Sequence, residues 1–260
     1  VAIGSFSRAK AAFSRSGEGA AVGETSNLTP DSCINVKVTT IVPGNDGGGA
    51  PPVREMPATA RGVRTRAALV AAARVVFERD GYLDARLTDI TKEAGCATGT
   101  FYTYFTNKEE VFAAVLEEAR KDMMHPGMDR VDDEDDPYAV LEASNRAYLT
   151  AYQRNAKLMG LMEQVAHVDP EFRRIRTERA EAFIERNARG IAELQRRSIA
   201  DPEVDPMTAS RALSGMVSRM AYGVFVSGEA ADGGREYDLD ELVGALTRLW
   251  ANALRFPGGR

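Results

Sequence analysis

From Arg61 onward, apolar residues return at helical spacing almost without interruption. Leu69, Val70, Ala73, Val76 and Phe77 mark a first helix, and the following Gly81 suits its stop. Two short helices are expected between Leu87 and Phe105, and another from about Lys108 to Met123, ending near Pro126-Gly127. The acidic loop Asp132–Asp136 follows. Beyond it the pattern predicts long helices over about 137–154, 156–167, 170–198, 206–228 and 238–255. Pro137, Pro170 and Pro206 each suit a first helical turn, where a missing amide hydrogen costs little. The last two helices carry apolar doublets about every four residues, Ala212/Leu213, Met216/Val217, Met220/Ala221 and Val224/Phe225 in one, and Leu242/Val243, Leu249/Trp250 and Ala253/Leu254 in the other, with Leu246 alone between its first two. Such doublets make a wide apolar stripe. No strand alternation or internal repeat follows residue 60, so the expected fold class is all-α.

Residues 1–57 read differently. They are rich in Gly, Ser, Ala, Thr and Pro, and only Ile34–Val42 alternates like a strand, with nothing to pair with. This composition predicts a disordered extension. The chain opens on Val1, and Met56 stands just before the first helix, so residues 1–55 are expected to be an upstream extension.

Composition narrows the function classes. The 260 residues are 44% hydrophobic and 27% charged, with a net charge of −5. Binding to nucleic acid therefore needs a local basic surface. Over Ala58–Lys108 there are eight positive and five negative side chains, a balance of +3. No apolar run approaches the roughly 20 residues that span a bilayer. The first residues lack the apolar core of a secretory signal. Cys33 and Cys96 form no disulfide framework, so a cytoplasmic location is expected.

The chemistry concentrates in residues 87–112, LTDITKEAGCATGTFYTYFTNKEEVF. Thr88 reads as an N-cap with Asp89 behind it at the positive helix end. Ile90 and Ala94 supply a buried face, and Gly95 suits a left-handed stop. Thr98 reads as the cap of a second helix, in which Phe101 and Phe105 share one face. Thr106 with Glu109 reads as a capping box for the next helix. Two short helices joined by a glycine turn make a helix-turn-helix, whose second helix enters the major groove. Its outer face carries Thr98, Gly99, Thr100, Tyr102, Thr103 and Tyr104. The hydroxyls are candidate donors to phosphates or bases, and Gly99 permits close approach to the DNA backbone. Lys108 is a candidate phosphate contact, and Arg61, Arg64 and Arg66 candidate contacts to the flanking backbone.

These residues resemble the DNA-binding domain of the TetR family of bacterial regulators. The resemblance covers about residues 61–112. It rests on Phe77-Glu78-Arg79-Asp80-Gly81-Tyr82, Leu87-Thr88-Asp89-Ile90, Ala94-Gly95, and above all Gly99-Thr100-Phe101-Tyr102-Thr103-Tyr104-Phe105 with Lys108-Glu109. It implies that Thr98–Phe105 reads a palindromic double-stranded operator. Thr88, Thr98, Thr100, Tyr102, Tyr104 and Lys108 stand at positions that commonly touch DNA in the family. Thr98 replaces a common Ser and Tyr104 a common His. The implied architecture is a DNA-binding domain over 58–108 and a larger effector-binding and dimerisation domain over 109–260.

In that architecture helices 206–228 and 238–255 would pair with a second copy, with Gly215, Ala221 and Gly223 allowing close approach. The effector pocket would draw on Tyr148, Tyr152, Leu158, Met159, Met162, Phe183, Met220 and Tyr222, a Met and aromatic set suited to an apolar or amphipathic molecule. Ordinary core packing is the alternative for each. Arg173, Arg174, Arg176 and Arg179 make a candidate anion site, for acyl-coenzyme A as one ligand, against a solvated face balanced by Glu171, Glu178 and Glu181. His125 and His167 lack metal-site spacing, and Asp132–Asp136 lacks the pattern of a calcium loop. Cys96 reads as a small buried residue, with redox sensing as the alternative. No cofactor or metal is expected. An all-α enzyme is disfavoured, because no nucleophilic triad, phosphate-cradling glycine loop or metal-ligand set occurs. A ligand-dependent activator, and a protein-interaction module that keeps the helix-turn-helix as a scaffold, remain as other readings.

Overall fold

Leu69, Ala73, Val76 and Phe77 fall on one side of α1 (Ala60–Asp84) and are fully buried. Around that stripe the computed structural model, which describes residues 59–124 and 136–256, assembles a helical protein. Among the described residues no strand occurs, and no helix is long and apolar enough to cross a membrane. The expectations for residues 1–57, Cys33, His125, Pro126-Gly127 and Asp132–Asp135 lie outside the described residues.

Thr59 caps α1 by accepting from the Gly62 amide at 3.1 Å. Gly81, at φ 81°, breaks the helix where the sequence placed its stop, and a last turn runs on to Asp84. Next come α2 (Leu87–Glu93), α3 (Thr98–Tyr104) and α4 (Lys108–Met124). Ile90, Phe101 and Phe105 close onto α1, together with Val111, Phe112 and Val115 of α4. The α4 start differs from the expected capping box by one residue. Asn107, not Thr106, accepts from the Glu110 amide at 2.9 Å, and Glu110, not Glu109, reaches back to the Thr106 amide at 2.6 Å.

The remaining helices are α5 (Pro137–Arg154), α6 (Ala156–Val168), α7 (Pro170–Arg196), α8 (Pro206–Phe225) and α9 (Leu239–Ala253). Three of them begin Asp-Pro. Asp136, Asp169 and Asp205 each cap an amide two or three residues on, at 2.8 Å, while proline fills the first helical position. Each Asp satisfies an otherwise orphaned donor and adds charge where the helix dipole favours it. The α7 and α8 ends fall two and three residues short of expectation.

α7 packs between α6 and α8, α5 lies against α9, and α1 sits on α4 and α6. Buried polar pairs fix some of these seams. Asn145 donates to Thr247 at 3.0 Å across α5 and α9, and Asn187 donates to Ser214 at 2.9 Å across α7 and α8. Trp250 of α9 is fully buried, and its indole N–H has no partner among the described residues. A hydrophilic joint ties α1 to the larger unit. Arg74 donates to the Arg154 carbonyl at 3.1 Å, and Arg154 and Asn155 each donate to Asp122 of α4 at 2.8 Å.

Candidate nucleic-acid interface

The turn between α2 and α3 follows from one glycine. Gly95 has φ 63°, a region that L side chains rarely adopt. This lets the Gly95 amide donate to Lys92 at 3.1 Å and the Cys96 amide to Thr91 at 3.0 Å, the paired bonds of a Schellman stop. Cys96 then tucks half-buried against the core. Phe101 and Phe105, with ring centroids 5.6 Å apart, anchor α3 from beneath.

The opposite side of α3 faces outward. Thr98, Gly99, Tyr102 and Thr103 are exposed, and Thr100 and Tyr104 are half-buried, with Tyr104 against the core. Thr88 of α2 is exposed as well. The threonines do not cap as expected: Arg86 holds the N-cap of α2 and Ala97 that of α3. Packing of Ile90 and Phe101 sets the helix starts one or two residues earlier than the hydroxyls suggested. Thr88, Thr98 and Thr100 consequently have hydroxyls that make no hydrogen bond among the described residues. Thr103 makes only a long one, to the Gly99 carbonyl at 3.4 Å. Gly99 has an ordinary backbone, and a Cβ there would meet nothing within 4 Å. Nothing among the described residues requires a glycine at this position.

Lys108, expected as a phosphate contact, is engaged within the chain. Its ammonium turns inward and donates to the carbonyls of Tyr82, Leu83 and Ala85 at 2.8, 3.2 and 3.4 Å. It also lies 4.7 Å from the Tyr82 ring centroid. These carbonyls belong to the last turn of α1 after Gly81 and to its C-cap, where helical partners run out, so the lysine closes the end of α1. Lys108→Met is therefore expected to cost about 2 kcal/mol of stability. Chemical denaturation checks this; an unchanged midpoint would return Lys108 to the DNA face.

Arg61, Arg64, Arg66, Arg86 and Lys92 form no ion pair among the described residues, whereas Arg74 and Arg79 are paired with Glu78 and Asp80. Arg61, Arg64 and Arg86 are exposed, and the Arg66 guanidinium lies 4.9 Å from the Phe105 ring centroid. Arg86, outside the residues expected to contact DNA, is exposed at the N-cap of α2.

The proposed effector residues gather in part. Tyr148, Tyr152, Met159 and Met162 are buried, as is Leu158, while Phe183, Met220 and Tyr222 are partly buried against the same core. Tyr148 touches Tyr152 and Phe183 at ring centroid distances of 5.9 and 5.7 Å. Burial pushes the hydroxyls of Tyr148 and Tyr152 well above the usual phenol range. The four arginines do not act as one cluster. Arg173 donates to the Ala166 and His167 carbonyls, Arg174 pairs with Glu171 and Glu178, and Arg176 pairs with Glu163 at 2.8 Å. Arg179 alone turns into the interior, 7% exposed, and burial pushes its guanidinium down to about 10. Of the small residues expected at a helix pairing, Ala221 and Gly223 are buried within the subunit, and only Gly215 is exposed.

The family model for bacterial regulatory proteins of the tetR family matches residues 69–115. YdgC of Bacillus subtilis strain 168, an uncharacterized HTH-type transcriptional regulator, is 39% identical over 56 residues, 22% of this chain and 29% of that protein. The fatty acid metabolism regulator protein of the same strain is 38% identical over 50 residues, 19% of this chain and 26% of that one. The matches thus span less than a third of these relatives' length. The structure of SmeT, the repressor of the Stenotrophomonas maltophilia multidrug efflux pump SmeDEF, superposes with a TM-score of 0.58 at 23% identity. It covers 75% of this chain and 91% of SmeT, a likeness of fold.

Proposed function

We propose that this chain, whose residues 69–115 match the model for bacterial regulatory proteins of the tetR family, binds DNA to regulate transcription, as a homodimeric repressor released from a palindromic operator by a small-molecule effector. The observation that carries the DNA half is the outer side of α3. It offers three unengaged threonine hydroxyls from α2 and α3, an exposed Tyr102, and a glycine that the fold itself does not need. Arg64 and Arg86 flank it as phosphate contacts in place of Lys108.

Dimerisation is supported by the outward sides of α8 and α9. Ala212, Gly215 and Ser218 are exposed on one, and Ala245, Leu249 and Asn252 on the other, with Leu249 at 52%. Two copies would present paired recognition helices to a two-fold site. The effector reading draws on the aromatic and thioether interior between α4 and α7. Its ligand would be apolar or amphipathic, acyl-coenzyme A being one candidate, and it would prefer a conformation in which the recognition helices are wrongly spaced. SmeT, a repressor, and the fatty acid metabolism regulator are relatives of this kind by name. No catalytic role is proposed, and the site of action would be the cytoplasm.

Gel retardation of the DNA upstream of the chain's own gene tests the proposal. At low salt a native fragment is expected to be retarded. Arg64→Ala and Arg86→Ala are each expected to reduce the slope of log affinity against log salt by about 1. Failure to retard any upstream fragment would sink the DNA half.

A further inference from the structure

We infer that Arg179 reads the charge of the effector, and that the effector is an amphipathic monocarboxylate whose head meets this guanidinium while its body lies among Tyr148, Tyr152, Met159 and Phe183. The inference rests on the effector reading above and names the chemistry of that site.

Among the described residues Arg179 is buried without a counter-ion. Nη1 donates to the Leu116 carbonyl of α4 at 2.8 Å. Among the described residues the hydrogen-bond partners of Nη2 are two thioether sulfurs, Met123 Sδ at 3.9 Å and Met159 Sδ at 3.8 Å, both weak acceptors. Among the described residues no carboxylate lies within ion-pairing distance. Among the described residues the charged side chains that reach Arg179 are Glu117 and Arg120, and these pair with each other at 2.7 Å. An unpaired cation in such a place weakens the fold, and an apolar residue of the same length would pack better. The stability of the free protein therefore gives no reason for an arginine here.

A ligand does give one. A guanidinium fork matches a carboxylate in shape and charge. One unmatched cation balances one negative charge, which favours a monocarboxylate over a polyphosphate such as coenzyme A. Tyr148 and Tyr152 stand close enough to feel the Arg179 charge. Their hydroxyls make no hydrogen bond among the described residues, and burial keeps them protonated as donors. The thioethers of Met123 and Met159 are unbranched and repack around an apolar body. A carboxylate also competes with the Leu116 carbonyl for Arg179. That carbonyl belongs to α4, the helix that follows directly on α3, so the ligand would loosen a tie between α7 and the helix behind the DNA face.

The full chain is tested with decanoate and naphthoate as carboxylate probes on an aliphatic and an aromatic body, decanol and naphthol as their neutral counterparts, and decanoyl-coenzyme A. Equilibrium dialysis and ligand-induced melting shifts report binding; retardation of the upstream fragment is followed in parallel. At least one carboxylate is expected to bind about tenfold tighter than its alcohol. Arg179→Met should erase that preference while melting no lower than the parent. Arg179→Lys, which keeps the charge and loses the fork, should reduce it several-fold, and decides the matter if the Met variant does not fold. The inference is overturned if neither carboxylate binds, if the preference survives in the folded variants, or if only decanoyl-coenzyme A binds. In that last case the effector reading stands without it. Absence of retardation before any ligand is added would instead count against the DNA-binding reading.

Discussion

Gly99→Glu is expected to lower operator affinity by at least about a hundredfold while leaving the melting temperature unchanged or slightly raised. The two effects have opposite signs for separate reasons. Within the protein the side chain has room, since a Cβ at Gly99 meets nothing within 4 Å and the backbone is not left-handed. Residue 99 is the second residue of α3, where a carboxylate sits favourably at the positive end of the helix dipole and glycine is a poor helix former. Toward DNA the same carboxylate would face phosphates across a surface whose closest approach lies at the glycine. Affinity is measured on the upstream fragment at fixed salt, and stability by thermal melting of the same preparation. Gly99→Glu binding as well as the parent would show that this side of α3 does not lie on DNA. A fall in melting temperature large enough to unfold the protein would show that the glycine serves the fold after all.

Phe112→Ala is expected to cost about 4 kcal/mol of unfolding free energy. Phe112 is fully buried, with ring centroid distances of 4.9 Å to Phe77, 4.8 Å to Tyr82 and 5.2 Å to Phe172. It therefore sits where α1, α4 and α7 meet, and the vacated volume is walled by two rings of α1 and one of α7, held on separate helices that do not readily collapse together. Urea unfolding followed by circular dichroism reads the change in midpoint. Because the residue is remote from the outer side of α3, variant protein held well below its transition should still retard DNA. A loss under 1 kcal/mol would mean that the aromatic cluster repacks, and that the junction is softer than its geometry implies.

Much of this was legible because the signals are local. Phe101 and Phe105 are one turn apart, so their shared burial could be read from spacing alone. Gly95 announced its left-handed turn, and prolines 137, 170 and 206 announced three helix starts. The errors came where a distant partner decides. Lys108 caps carbonyls 23 to 26 residues upstream, which no local window shows. Thr88 and Thr98 have the right chemistry for caps, but tertiary packing of α2 and α3 fixes their starts at Arg86 and Ala97. Arg173, Arg174, Arg176 and Arg179 are adjacent in sequence, yet a helix turns them toward different neighbours, and only packing reveals which one goes inside. Ala221 and Gly223 misled in the same way: small size suits a helix crossing within a subunit as well as one between subunits.

The burial of Trp250 has a practical side. It is the chain's single tryptophan, and it lies on α9 against α5, far along the chain from α1–α3, whose aromatic residues are phenylalanine and tyrosine. An indole in a dry site with its N–H unpaired emits toward the blue, and water reaching it moves that emission to the red. Selective excitation of this one chromophore therefore reports the melting of the carboxy-terminal helices, while circular dichroism reports all helices at once. If the two curves coincide, the DNA-reading helices and the α5–α9 seam unfold as one unit; if they separate, the unlabelled protein shows by its own light which part yields first.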